Sequence, residues 1–96
     1  MTAYLYVDIE VTDPVAFEEY RRQVPAMIAA HGGRYLVRGG AAEVLEGDDW
    51  QPKRQVILEF PNMAHLKDFY DSAEYQPLKV LRQRSSKARL VAIEGL

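Results

Sequence analysis

Apolar and polar residues alternate without a break from Ala3 to Val11, with Ala3, Leu5, Val7, Ile9 and Val11 at odd positions and Tyr4, Tyr6, Asp8 and Glu10 at even ones. A period of two sends successive side chains to opposite faces, so the pattern predicts a strand. The period changes after Asp13 and Pro14. Phe17, Tyr20, Val24, Met27 or Ile28, and His31 recur at intervals of three and four, which predicts a helix with one buried stripe. Asp13 can accept an orphan amide at its start, and Pro14 has no amide to leave unpaired. Pro25 deletes the bond to the carbonyl of Arg21 and predicts a bend between Gln23 and Ala26. Gly32 supplies a left-handed residue that ends the helix.

The second half repeats the order. Arg34 to Arg38 reads as a strand that Gly39 and Gly40 break, with an extended or bulged continuation expected at Ala42 to Glu46. Gly47 to Pro52 is rich in turn-forming residues, and Arg54 to Phe60 is a third strand carrying Val56, Ile57 and Leu58. Pro61 stops it, Asn62 caps a second helix with Leu66, Phe69 and Tyr70 on its face, and Ser72-Ala73-Glu74-Tyr75 predicts a further cap. A short third helical piece, bearing Leu78 and Leu81, is expected to run to about Gln83, and Ala88 to Glu94 closes as a fourth strand. The predicted fold is one α+β domain over residues 1–96, a ferredoxin-like βαββαβ antiparallel sheet with its helices on one face. The other face carries Tyr4 and Tyr6, and the third and fourth strands place aliphatics on both faces, which is unsuited to open water. A second copy of the chain is the economical cover, so a homodimer is expected.

Composition narrows the class of function. Hydrophobic residues make up 48% and charged residues 27% of the 96, which is globular and not disordered composition. A net charge of −2 lacks the basic excess that displaces counterions from nucleic acid, so no nucleic-acid partner is expected. The chain has no cysteine, which removes disulfides, thiolate metal sites and a cysteine nucleophile and suits a reducing compartment. The first residues read as a strand and not as a signal peptide, and no apolar run is long enough to span a bilayer; the expected location is cytoplasmic, with no membrane partner.

No phosphate-binding glycine loop, nucleophile elbow or His-Glu-x-x-His motif is present, and His31 and His65 lie on different elements. Neither a metal nor a cofactor is expected. The suggestive segments are His31-Gly32-Gly33-Arg34-Tyr35, Arg38-Gly39-Gly40, Glu46-Gly47, Arg54 and Ser72-Ala73-Glu74-Tyr75. With Tyr20, the Phe60-Pro61 strand end, Arg82 and the closing Ile93-Glu94-Gly95, this series resembles the domain-of-unknown-function family 1330 of the dimeric α/β-barrel superfamily over essentially the whole chain. The resemblance implies a ferredoxin-like subunit in a homodimer. It implies no activity, since similar folds serve as cofactor-independent oxygenases, isomerases, haem enzymes and ligand-sensing modules.

Read residue by residue, Tyr20, His31, Arg38, Arg54, Tyr75 and Arg82 are the candidates for a pocket between helices and sheet that takes a small anionic or carbonyl-bearing molecule. Each also has a plainer reading. His31 can bond the last carbonyls of its helix instead of acting as acid or base. Arg38 can hold a carboxylate in two parallel bonds or pair with Glu43 or Glu46, and Arg54 can pair with Glu46 or Asp8. Tyr75 can donate to a bound oxyanion or belong to a cap, and Tyr20 sits on the inner helix stripe with its hydroxyl reaching an edge. Of the basic run from Lys79 to Arg89, Arg82 alone is expected to turn toward the site, and Trp50 is read as a lid or a dimer contact.

Overall fold

The structure, a computed structural model, describes residues 1–96. Its elements follow the order β1 (Ala3–Val11), α1 (Pro14–Ala30), β2 (Arg34–Arg38), β3 (Arg54–Phe60), α2 (Met63–Asp71), α3 (Tyr75–Ser85) and β4 (Ser86–Glu94). The four strands form one antiparallel sheet in the order β2-β3-β1-β4, the ferredoxin-like arrangement. β1 lies inside the sheet and pairs on both sides, Leu5 standing opposite Leu58 and Ala92. The odd residues Ala3, Leu5, Val7 and Ile9 are buried with Phe17, Val24 and Ile28 of α1, Leu66 and Phe69 of α2, and Tyr75 and Leu78 of α3. The alternation of β1 therefore fixes which face of the sheet carries the helices.

The caps act as their residue types predict. The Asp13 carboxylate accepts the Ala16 amide at 3.2 Å, the Asn62 side chain accepts the His65 amide at 2.8 Å, and the Ser72 hydroxyl accepts the Tyr75 amide at 3.3 Å. The amides of Thr12 and Asp13 both donate to the Ser85 carbonyl, at 2.9 and 3.0 Å, and this ties the start of α1 to the end of α3. Gly32 adopts φ +79° just past α1, the left-handed geometry expected of it.

Pro25 lies inside α1, whose helical backbone carries through to Ala30; one missing bond is outweighed by the packing of Val24 and Ile28 on either side of it. One expectation is corrected. No strand forms at Ala42 to Glu46. The Gly39 amide makes the last bond to β3, to the Gln55 carbonyl at 2.8 Å, and Gly39 then turns the chain away at φ +73°. β3 itself begins at Arg54, so nothing remains for a longer second strand to pair with. The bulge lies earlier, inside β2, between Tyr35 and Val37.

The face without helices joins Val37, Ile57, Tyr6 and Val91 in one row across the sheet, with Tyr4 and Ile93 beside it. Val91 and Ile93 are 49% and 50% exposed. Asp8 on the same face anchors the returning β2–β3 connection. It accepts from the Lys53 amide at 2.9 Å, the Gln55 side chain at 2.7 Å and the Trp50 indole at 3.4 Å. No helix is long and apolar enough to cross a membrane.

Candidate functional site

The inner face of the sheet and the helices α1 and α3 line a partly open cavity of about 70 Å³. Its walls are mostly aliphatic and aromatic, among them Leu5, Val7, Val56, Leu58, Val24 and Phe69. The strand period explains this lining, because Val7 and Val56 are cross-strand partners, as are Leu5 and Leu58, and point the same way.

Into this apolar space four elements project tyrosines and arginines. Tyr20 comes from the buried stripe of α1. Tyr75 opens α3, and Arg82, seven residues or about two turns later, falls on the same side of that helix. The Tyr20 and Tyr75 hydroxyls are 2.8 Å apart, and the Arg82 Nε donates to the Tyr75 hydroxyl at 3.4 Å. Tyr75 is 1% and Arg82 4% exposed. Serines bonded to the end of α3 hold the arginine's turn, the Ser86 hydroxyl donating to the Arg82 carbonyl at 2.5 Å.

Arg38, Tyr35 and Arg54 complete the wall from the sheet. In a regular strand Tyr35 and Arg38, three residues apart, would face opposite sides. The bulge at Leu36 changes the register, so that Tyr35 stands opposite Leu58, Val37 opposite Ile57 and Arg38 opposite Val56. Tyr35 and Arg38 thereby share the cavity side, the guanidinium 4.5 Å above the Tyr35 ring. Arg54 packs so closely on Gly39 that a Cβ there would lie 2.7 Å from its Nε.

The ion pairs are Arg21–Glu18, Arg22–Glu19 and Arg34–Glu59. Arg38, Arg54 and Arg82 have no carboxylate partner, and no aspartate or glutamate lines the cavity. The expected pairings of Arg38 with Glu43 or Glu46, and of Arg54 with Glu46 or Asp8, are not made; Asp8 is occupied by the connection on the opposite face. Burial, reinforced by Tyr75, pushes the Tyr20 phenol far above its ordinary 10.0. Tyr35 is raised too, chiefly by burial and against the opposing effect of Arg38. Both remain neutral hydrogen-bond donors at ordinary pH.

The hydrogens of the inner cluster can be counted. Arg82 Nε–H, Tyr75 O–H and Tyr20 O–H supply three, and the two contacts use two of them. Whichever phenol donates to the other, one hydroxyl hydrogen has no acceptor in the protein. The cluster is thus a net donor facing the cavity.

Of the six candidates, Tyr20, Arg38, Arg54, Tyr75 and Arg82 converge here, and His31 does not. His31 Nδ1 bonds the Met27 carbonyl at 3.0 Å and its ring meets Phe69 edge-on, closing the end of α1. Arg82 alone of its basic run turns inward; Lys79, for example, sits 3.8 Å over the exposed side of the Tyr70 ring. Tyr35 escaped selection from sequence, because strand periodicity separates it from Arg38 unless the bulge is known. No group of three histidine or acidic side chains converges as a metal site would require.

Several solved structures share this fold. A protein of unknown function from Rhodopseudomonas palustris is 17% identical, with a TM-score of 0.77 over 99% of this chain and 82% of its own. SnoaB, a cofactor-independent oxygenase from Streptomyces nogalater, is 11% identical with a TM-score of 0.62 over 99% and 92%. A dimeric ferredoxin-like protein of unknown function from a Jannaschia species is 14% identical with a TM-score of 0.65 over 99% and 100%. At such identities the likeness concerns the fold. No curated protein sequence matches the chain. The model of the domain of unknown function DUF1330 matches residues 2–96, and with the ferredoxin-like sheet and its neighbours this shows that the chain belongs to the DUF1330 family.

Proposed function

We propose that residues 1–96 act as one domain that binds a small anionic or carbonyl-bearing molecule in the cavity between helices and sheet, and that two copies pair through the helix-free face. The observation that supports binding is the set of guanidiniums without carboxylate partners, Arg38, Arg54 and Arg82, in a protein whose net charge is −2. Acids outnumber bases in the chain, yet none reaches this wall, so an incoming anion meets uncompensated positive charge. Binding is favoured over acid–base catalysis by the protein itself, because the titratable groups lining the cavity are tyrosines and arginines and burial raises Tyr20 further. The oxygenase activity of SnoaB keeps a second reading in play, in which the same donors stabilise an oxyanion that forms on the ligand. Pairing is supported by the exposed Val37, Val91 and Ile93 around Tyr6, and by the dimeric Jannaschia neighbour.

Titration calorimetry with 4-methylpentanoate tests the binding reading. Saturable binding is expected, weakened about 10- to 100-fold in Arg38→Ala, the effect of losing a charge-assisted hydrogen bond. Arg38 is exposed, so the variant should fold normally. Equal affinity in the variant, or no binding to the wild type, overturns the reading.

A further inference from the structure

The chemistry of the cavity wall narrows the ligand further, and this step rests on the anion-binding reading above. Every polar side chain in the wall is a tyrosine or an arginine. A guanidinium offers five N–H donors and no acceptor, and a phenol offers one donor and a weakly basic acceptor oxygen. No amide, carboxylate or imidazole is present in the wall, so the acceptors open to a ligand are phenol oxygens, of which those of Tyr20 and Tyr75 already contact each other. A bound ammonium group would lose its water, find no anionic partner and face three unpaired guanidiniums. A bound carboxylate or carbonyl oxygen finds a donor on every polar side chain of the wall.

The donors stand at two places. Arg38 and Arg54 lie at the end of the sheet beside Gly39, where Arg38 and Gly39 are exposed. Tyr20, Tyr75 and Arg82 lie deep between α1 and α3 and hold the unspent hydroxyl hydrogen. The remaining wall, with Val7, Val56, Leu58 and Phe69, asks for an apolar body.

We propose that the cavity selects a 2-oxo acid with a short apolar body over both the parent acid and the corresponding amino acid, its adjacent carboxylate and carbonyl oxygens set between the sheet arginines Arg38 and Arg54 and the Tyr20–Tyr75 hydroxyls. The two phenols are then the residues that determine specificity, and the arginines of the sheet supply affinity common to all acids.

The test compares 4-methyl-2-oxopentanoate, 4-methylpentanoate and leucine by calorimetry at one pH and ionic strength. The oxo acid should bind about tenfold tighter than 4-methylpentanoate, the worth of one good hydrogen bond, and leucine at least about tenfold weaker than 4-methylpentanoate. In Tyr20→Phe/Tyr75→Phe both hydroxyls go together, and the Arg82 Nε–H loses its acceptor with them. The oxo preference should fall to less than about twofold there while 4-methylpentanoate keeps its affinity. Equal binding of the two acids by the wild type, leucine binding as tightly as 4-methylpentanoate, or an oxo preference that survives the double substitution overturns this selectivity and leaves the anion-binding reading standing. Absence of binding by either acid overturns both. Should the double variant not fold, the three-ligand comparison on the wild type decides the question by itself.

Discussion

At the scale of the residue, the phenols link stability to pH. Tyr20 and Tyr35 have folded-state pKa values raised above the ordinary 10.0 by burial. A raised group stabilises the fold fully below its unfolded pKa, and that contribution is lost as pH rises toward the folded value. The melting temperature should therefore hold through neutral pH and fall above about pH 10, more steeply in the wild type than in Tyr20→Phe, as scanning calorimetry across the alkaline range would show. Identical alkaline profiles would contradict the burial of this hydroxyl. Gly39 makes a second prediction at this scale. A side chain there must displace the Arg54 guanidinium, and φ +73° adds backbone strain. Gly47, at φ +103°, imposes strain of the same kind but has only the Asp49 side chain at 3.8 Å nearby. Gly39→Ala should weaken carboxylate binding several-fold where Gly47→Ala does not, although both lose about 1 kcal/mol or more of stability through the backbone.

At the scale of the element, β2 shows how a local irregularity makes a site. One extra residue at Leu36 puts Tyr35 and Arg38 on the same side of the sheet. Deleting Leu36 should leave a regular strand in which Tyr35 and Arg38, then two residues apart, still face the cavity, whereas inserting one residue between Val37 and Arg38 should turn Arg38 toward the helix-free face. The insertion, not the deletion, is expected to reduce carboxylate affinity about as far as Arg38→Ala in a folded protein, read by circular dichroism and calorimetry together. The helices behave more simply. Asp13→Ala should cost about 1 kcal/mol, measured by urea unfolding, because it leaves the first turn of α1 without its side-chain acceptor.

At the scale of the whole molecule, the proposed pairing rests on the helix-free face. Its apolar row runs through Val37, Ile57, Tyr6 and Val91 and is flanked by charged residues that include Glu59 and Arg89. Light scattering should give twice the 11.0 kDa of one chain, and Val91→Asp should shift the particle toward one copy by placing an unpaired charge in the packed row. A wild-type particle of a single chain at high concentration would contradict the pairing.

Much of this architecture was legible along the chain because it rests on local rules. The alternation of β1, the Asp13-Pro14 and Pro61-Asn62 starts, and the left-handed Gly32 each act within a few residues, and each appears in the structure as the local chemistry dictates. The site was legible only as a set of residue types. Tyr20, Arg38, Arg54, Tyr75 and Arg82 could be singled out, but whether they meet depends on distances between elements far apart in sequence. His31 was equally eligible by type, and only the packing of α1 against Phe69 assigned it to the helix end. Composition, period and caps thus determined the sheet, its helices and the buried face; the bulge at Leu36, the turn at Gly39 and the seating of α1 on α3 determined which arginines and phenols share a cavity, since register and interhelical contact are set by tertiary packing.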